Sequence, residues 1–138
     1  MQLSRRQALA LGMSGAALAI GAGPAIAAKN DLLDAFTGGT AAGGGDLVLM
    51  APEIAENGNS VTIEFECPGA EEVRIFALEN PNPEVCTVRY GPLAGNTRVV
   101  TRIRMAGTQE VIALARMQDG SFREARAMVR VTIGGCGG

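Results

Sequence analysis

From Asp46 to Ile133 the sequence has a β pattern throughout, made of short runs that are either apolar or alternate between apolar and polar residues. In the clearest run, Val61, Ile63 and Phe65 alternate with polar neighbours. A period of two places one set of side chains on a buried face and the other in water, which is the pattern of a half-buried β-strand. This period constrains the fold most, because an α-helix cannot bury every second residue on one face.

Turn signals separate these runs. They are Asn57-Gly58-Asn59, Asn80-Pro81-Asn82-Pro83, Gly91–Asn96 and Gln118-Asp119-Gly120. Seven strands are predicted, at about 46–50, 61–67, 73–78, 85–90, 98–105, 110–117 and 121–133. Their spacing predicts an all-β fold, an immunoglobulin-like antiparallel β-sandwich of about seven strands over residues 46–133. Hydrophobic residues make up 47% of the chain but aromatic ones only 4%, so aliphatic side chains must fill the core.

The first 27 residues have the features of a cleavable export signal. Arg5 and Arg6 precede a weakly apolar run from Ala8 to Ile20, and Ala25-Ile26-Ala27 offers a cleavage site before Ala28. The paired arginines favour the twin-arginine route. A membrane anchor is the alternative, but the run is shorter than the roughly 20 strongly apolar residues that a span needs.

Residues 28–45 are predicted to form a short helix and a linker. Asp31–Phe36 suits one or two helical turns, with Asn30 or Asp31 as the cap. The stretch Gly38–Gly45 contains five glycines and is expected to be a flexible linker.

Charge and composition exclude several classes of function. Of the 12 basic and 14 acidic residues, the segment 1–27 carries two arginines and no acid, so the mature chain has a net charge of −4. This balance disfavours nucleic acid as a partner, and nothing indicates membrane binding. The chain has no histidine, which excludes Ser-His and Cys-His pairs, histidine metal sites and a histidine-ligated haem. No cofactor is expected.

The chain ends in a cysteine, Cys136, with two glycines on either side: Gly134, Gly135, Gly137 and Gly138. Glycines cannot pack into a core, so residues 134–138 are predicted to form a flexible arm. Such an arm can carry the Cys136 sulfur about 10 Å beyond the last strand. The alternative is a frayed tail with an incidental cysteine. A model thiol has a pKa of roughly 8.5 and no Lys or Arg is adjacent in sequence, which favours a thiol acted on by partner enzymes over a catalyst.

Four segments carry a resemblance to the SoxY family of the Sox thiosulfate-oxidising system: Ala51–Gly58, Glu79–Pro83, Thr101–Met105 and Val131–Gly138. The terminal Gly-Gly-Cys-Gly-Gly motif is the most specific of them. The resemblance implies a periplasmic sulfur carrier with an immunoglobulin-like fold. It also implies that Cys136 is the site of covalent attachment and that the four flanking glycines form a slim arm that enters narrow pockets.

The same resemblance implies the partners. A second small β-sandwich subunit, SoxZ, would form a heterodimer with this chain. A haem-containing enzyme would join thiosulfate to Cys136, a hydrolase would release sulfate, and a sulfane dehydrogenase, where the host has one, would oxidise the remaining sulfur.

Two further sets of residues leave alternatives open. Cys67 and Cys86 lie on apolar faces of their strands and could form a disulfide or remain free thiols that behave as small hydrophobes. Arg98, Arg102 and Arg104 could attract an anion or an acidic partner, but such a stripe is more often a solvated strand face. The acidic pairs Glu64/Glu66 and Glu71/Glu72 are interpreted as solubilising.

Other classes of protein compete with the carrier interpretation. A ubiquitin-like sulfur carrier also ends in Gly-Gly, but its activation needs ATP, which an exported protein does not meet, and its central helix is missing from the pattern. A non-catalytic assembly or adhesion module would make Cys136 dispensable. A thiol-disulfide oxidoreductase lacks support because no Cys-x-x-Cys occurs.

Overall fold

One helix and eight strands make up the described part of the chain, residues 24–133 of a computed structural model, with side chains described from Lys29 onward. The helix α1 spans Pro24–Thr37. The strands are β1 (Val48–Met50), β2 (Ile54–Ala55), β3 (Val61–Glu66), β4 (Ala70–Ala77), β5 (Glu84–Arg89), β6 (Val99–Ile103), β7 (Gln109–Met117) and β8 (Phe122–Val131).

Two sheets form a sandwich. One has three antiparallel strands in the order β1-β3-β6, and the other has five in the order β2-β8-β7-β4-β5. The alternation in β3 places Val61, Ile63 and Phe65 in the core, at 1% exposure or less. Across from them lie Val73 and Ile75 of β4. The predicted all-β sandwich is confirmed and is consistent with an immunoglobulin-like fold, and all seven predicted strands are present.

The eighth strand, β2, was not predicted from the sequence. It has two residues and pairs in parallel with β8, setting Ile54 opposite Arg130 and Ala55 opposite Val131. Two residues are too few to show a period, so this pairing depends on the tertiary structure. Every other strand pair is antiparallel, as expected.

The helix α1 is longer than the predicted one or two turns. It begins at Pro24, so neither Asn30 nor Asp31 is its N-terminal cap, and that prediction was wrong. Its stability comes from packing: Phe36 is buried against the outer face of the five-stranded sheet, with its ring 5.6 Å from that of Phe122 in an edge-to-face arrangement. The predicted cleavage point between Ala27 and Ala28 lies within this helix.

The glycine-rich stretch after α1 is tethered to the sandwich. Gly43 forms a β-bridge with Arg123, donating its N–H to Phe122 O at 3.0 Å and accepting from Glu124 N at 2.9 Å. A wholly flexible linker was therefore a wrong expectation for its middle. The hairpin predicted at Asp119-Gly120 does join β7 to β8, and Gly120 has the positive φ, 85°, that such a turn favours.

Candidate functional site at the base of the C-terminal arm

The predicted attachment residue, Cys136, and the arm glycines Gly134, Gly135, Gly137 and Gly138 lie outside the described residues. Ala27 and Ala28, at the predicted cleavage site, lie in α1 at positions whose side chains are not described. The structure describes the chain up to the start of the predicted arm, namely the last residues of β8 and the groups that hold them.

Backbone hydrogen bonds fix the end of β8 on one side. Arg130 N donates to Glu53 O at 2.9 Å and Thr132 N to Ala55 O at 3.0 Å. The Thr132 hydroxyl donates to Glu56 O at 3.0 Å. Because these bonds continue the parallel pairing with β2 beyond the last strand residue, the short strand β2 serves to hold the point from which the arm departs.

Two further residues hold the same end of β8 from other directions. Thr108 Oγ1 accepts a hydrogen bond from Val131 N at 2.9 Å. Buried Gly58 donates its N–H to Ile133 O at 2.7 Å and accepts from Met105 N at 2.7 Å. Ile133, the last described residue, has its backbone fixed while its side chain is 66% exposed.

A buried polar network supports the β6–β7 connection that carries Thr108. Asn80 donates to Arg104 O at 2.7 Å and accepts from Ala106 N at 2.8 Å and from Gln109 Nε2 at 2.9 Å. Gln109 in turn accepts from Glu79 N at 2.9 Å. Because these two buried amide side chains are hydrogen-bonded to the backbone and to each other, they fix the β6–β7 connection in one conformation. The Glu79–Pro83 segment, predicted only as a turn, thus has a structural role near the arm.

Both cysteines in the described chain are free thiols. Cys67 is buried, with its sulfur 3.6 Å from Met117 Sδ, and Cys86 is half-buried against the same core. Burial raises the pKa of the Cys67 thiol and of the Cys86 thiol. The structure corresponds to the free-thiol alternative, and a disulfide under oxidising conditions stays a prediction. Both thiols are weak nucleophiles at neutral pH, since nucleophilicity requires the thiolate.

The acidic residue Glu72 is a buried ion rather than a solubilising one, so its interpretation from sequence was wrong. It is 1% exposed and accepts from Arg74 at 2.6 Å, Arg116 at 3.0 Å and Arg89 at 3.3 Å. Burial alone would raise the pKa of Glu72, but the Arg74 hydrogen bond and the charges of the three arginines together lower it. The Arg74 guanidinium also lies 4.5 Å from the centre of the Phe36 ring and so links this cluster to α1.

The arginine stripe divides into two parts. Arg98 contacts Glu64 at 2.5 Å, and this hydrogen bond lowers the pKa of Glu64. Arg102 and Arg104 are exposed, and neither has a carboxylate within 4.0 Å among residues 29–133. They lie at the end of the sandwich that holds Ile133. Ile103, which lies between them, pairs with Val61. Met105, the residue after Arg104, bonds to Gly58, which also bonds to Ile133.

A cavity of about 700 Å³ lies at the end of the sandwich opposite Ile133. The loops after β3, β5 and β7 line it, with Tyr90 donating to Thr97 O at 2.7 Å. Burial, followed by the nearby groups Cys67, Cys86 and Glu66, raises the pKa of Tyr90 to about 12, so Tyr90 stays protonated. This cavity therefore holds no activated nucleophile. Elsewhere among the described residues, no cluster of three or more acidic or Cys side chains could hold a metal.

No helix among residues 24–133 is long and apolar enough to cross a membrane.

Comparison with known proteins links this geometry to one family. The family model described as "Sulfur oxidation protein SoxY" matches residues 33–136, about three quarters of the chain. The structure is similar to that of the sulfur carrier protein SoxY from Chlorobium limicola f thiosulfatophilum, with a TM-score of 0.63 and 31% identity. This match covers 78% of this chain and 99% of that one.

More distant structural matches show the fold alone. A superoxide reductase (neelaredoxin) from Ignicoccus hospitalis gives a TM-score of 0.51 at 15% identity, covering 63% of this chain and 80% of that one. A putative superoxide reductase from Thermotoga maritima gives 0.50 at 18% identity, covering 62% and 84%. A comparison with curated protein sequences found no match. Because the family model covers most of the sandwich and reaches Cys136 itself, the chain belongs to the SoxY family of sulfur oxidation proteins.

Proposed function

We propose that this protein is a periplasmic sulfur carrier that holds thiosulfate-derived sulfur covalently on Cys136 while partner enzymes oxidise and hydrolyse it. The observation that carries the proposal is the extent of the family match, which ends on Cys136. The contacts at the end of β8 support it, because they hold Ile133, three residues before that cysteine, at a fixed point of the sandwich.

The other two cysteines are poor candidates for the attachment site. Cys67 is fully buried and Cys86 half-buried, and burial raises the pKa of both thiols. A sulfur carrier must expose its thiol to several enzymes in turn, which a core side chain cannot do. Of the three cysteines, Cys136 therefore fits the role best.

Loading requires an external electron acceptor. Joining the Cys136 sulfur to the outer sulfur of thiosulfate forms one S–S bond, releases the thiol proton and yields two electrons. The chain has no histidine and no Cys-x-x-Cys, and we propose that a haem-containing partner takes these electrons. A second partner then hydrolyses the bond between the outer sulfur and the sulfonate group. This step releases sulfate and leaves a persulfide on Cys136.

The remaining partners and the location are proposed on the basis of the same family. We propose a heterodimer with a SoxZ-like β-sandwich subunit, and a sulfane dehydrogenase as a further partner where the host has one. The segment 1–27, with its paired arginines and the cleavage site at Ala27 and Ala28, supports export to the periplasm by the twin-arginine route. Nucleic acid and membranes are not proposed as partners.

Intact mass of the mature protein tests the proposal. Incubation with thiosulfate and the haem-containing partner should add mass in steps of thiosulfate or sulfur, and reductant should remove it. Cys136→Ser should abolish these adducts, whereas the matched Cys86→Ser variant should retain them. Adducts that persist in Cys136→Ser would refute the assignment.

The two competing functions predict different outcomes. For an assembly or adhesion module, Cys136→Ser would leave thiosulfate oxidation unchanged. A ubiquitin-like carrier would form a thiocarboxylate on Gly138 and require ATP. The all-β sandwich argues against that second alternative, which expects a central helix packed on the sheet.

A further inference from the structure

Arg102 and Arg104 are charges that neither the fold nor the proposed chemistry has used. Both project from β6 and its continuation and are exposed. Arg98, on the same face at the far end of β6, instead contacts Glu64. Within residues 29–133, no carboxylate lies within 4.0 Å of Arg102 or Arg104. Their positive charge is therefore available to a ligand.

Gly58 places this pair beside the base of the arm. It bonds to Ile133 O on one side and to Met105 N on the other, each at 2.7 Å. Because the two bonds are joined by a single residue, which spans at most about 3.6 Å, Ile133 O and Met105 N lie within roughly 9 Å of each other. Cys136 is three residues beyond Ile133, a reach of about 10 Å. An arginine side chain at position 104 and the Cys136 sulfur are therefore within reach of each other.

The surface between β5 and β6 is concave next to these arginines. A cavity of about 300 Å³ has Arg102, Arg104 and Asn82 in its lining. Glu84 is the acidic residue in the lining, and its carboxylate accepts from Thr87 at 2.8 Å and lies 3.7 Å from Arg74. The two guanidiniums and the amide are groups that donate hydrogen bonds to oxyanions.

We infer that Arg102 and Arg104 form an anion subsite for the sulfur oxyanion carried on Cys136. The inference rests on the proposed function and adds to it a site on the carrier itself. A terminal sulfonate has three oxygens with one negative charge, which planar guanidiniums match by paired hydrogen bonds. The two positive charges attract the anionic adduct.

Two alkylating reagents of nearly equal size test the inference without any partner enzyme. Iodoacetate is an anion and iodoacetamide is neutral, and both react with the thiolate by displacing iodide. The two alkylation rates at Cys136 are measured from the mass of the C-terminal peptide. Because both reagents react with the same thiolate, the ratio of the rates is independent of the thiolate fraction. At roughly 8 Å in water, each positive charge favours the anion by about twofold. Arg102→Gln/Arg104→Gln should therefore lower the ratio about two- to fourfold at low salt, with the difference lost near 1 M salt.

A matched variant controls for net charge. Arg89→Gln/Arg98→Gln removes the same two charges from the opposite end of the sandwich and should leave the ratio unchanged. An equal ratio in wild type and Arg102→Gln/Arg104→Gln would overturn the anion subsite. If that variant instead lost binding to the partner subunit with an unchanged ratio, the arginines would serve an acidic protein surface, and the inference would also be wrong. Neither result depends on whether thiosulfate loads onto Cys136.

Discussion

Replacing Glu72 with glutamine should destabilise the sandwich strongly. The carboxylate is 1% exposed and receives hydrogen bonds from Arg74, Arg89 and Arg116. Glutamine keeps nearly the same shape but offers one neutral oxygen in place of two charged ones. Three guanidiniums would then share a partly buried site whose remaining carboxylates, Glu71 and Glu84, lie 3.6 Å and 3.7 Å from the nearest guanidinium. The contact of Arg74 with Phe36 would weaken.

The expected magnitude follows from the exposure of the partners. Removing one member of a buried ion pair costs about 3–5 kcal/mol. The side chains of Arg74, Arg116 and Arg89 are 27%, 36% and 77% exposed, so they can turn partly to water, which reduces this loss. We expect the free energy of unfolding to fall by about 3 kcal/mol, a large part of the roughly 5–15 kcal/mol of a typical domain.

Urea unfolding followed by far-UV circular dichroism measures this difference, because the chain has no tryptophan for fluorescence. The control is Glu71→Gln, one residue away, whose side chain is 57% exposed and lies 3.6 Å from Arg116. Its loss should stay below about 1 kcal/mol, as for surface ion pairs. A loss below 1 kcal/mol in Glu72→Gln, or equal losses in the two variants, would refute the argument.

The pH dependence provides a second test of the same cluster. The pKa of Glu72 is lower in the folded protein than in the unfolded chain. Its stabilising contribution is therefore complete above the unfolded pKa, about 4.3, and is lost as the pH falls through the folded value. The stability difference between wild type and Glu72→Gln should be constant near neutrality and shrink below about pH 4. A difference that grows with acidity would contradict the assigned direction.

Three other predictions concern the arm and its surroundings. Gly135→Val should slow both loading and unloading of sulfur, because a branched side chain obstructs entry of the arm into a narrow pocket; normal rates by intact mass would contradict this. Asn80→Ala should lower the free energy of unfolding by about 2 kcal/mol, since it leaves Arg104 O and Ala106 N without their partner. It should also speed amide hydrogen exchange in residues 104–109, and unchanged exchange would refute the proposed support of the loop. In the native protein at pH 8, iodoacetamide should modify half-buried Cys86 before buried Cys67. Both should react more slowly than an unstructured thiol, because burial raises their pKa values. Faster reaction of Cys67 would contradict the described packing.

The alternating sequence was sufficient to predict seven strands and the sandwich. A period of two appears where a strand has one buried and one exposed face, as at Val61, Ile63 and Phe65. The strand β7 is buried on both faces and has a continuous apolar run, Val111–Ala115, instead. The hairpin at Asp119-Gly120 was equally clear because its turn residues are local signals.

Features that depend on distant pairing could not be predicted. The strand β2 and the bridge at Gly43 exist because each meets β8, about 80 residues away in sequence. Glu72 resembles any exposed acidic residue on a strand. Its burial follows from cross-strand pairing with Arg89 and Arg116, a register that the sequence alone does not give. Likewise, only the contacts of Gly58 reveal that Arg104 lies close to the arm's base.

The contacts at the end of β8 suggest why the proposed carrier would need a rigid base as well as the predicted flexible arm. If the strand frayed, Cys136 would sample a larger volume and meet each partner's pocket less often. Holding Val131 through Thr108, and Ile133 through Gly58, confines the cysteine to about 10 Å from one fixed point. On the proposed function, a partner enzyme that docks on the sandwich near this point would meet the thiol at high effective concentration, as for any short tether. On this argument, Thr108→Val should weaken loading without changing the intrinsic reactivity of Cys136 toward iodoacetamide. A parallel loss of both would show that the contact acts on the thiol rather than on its placement.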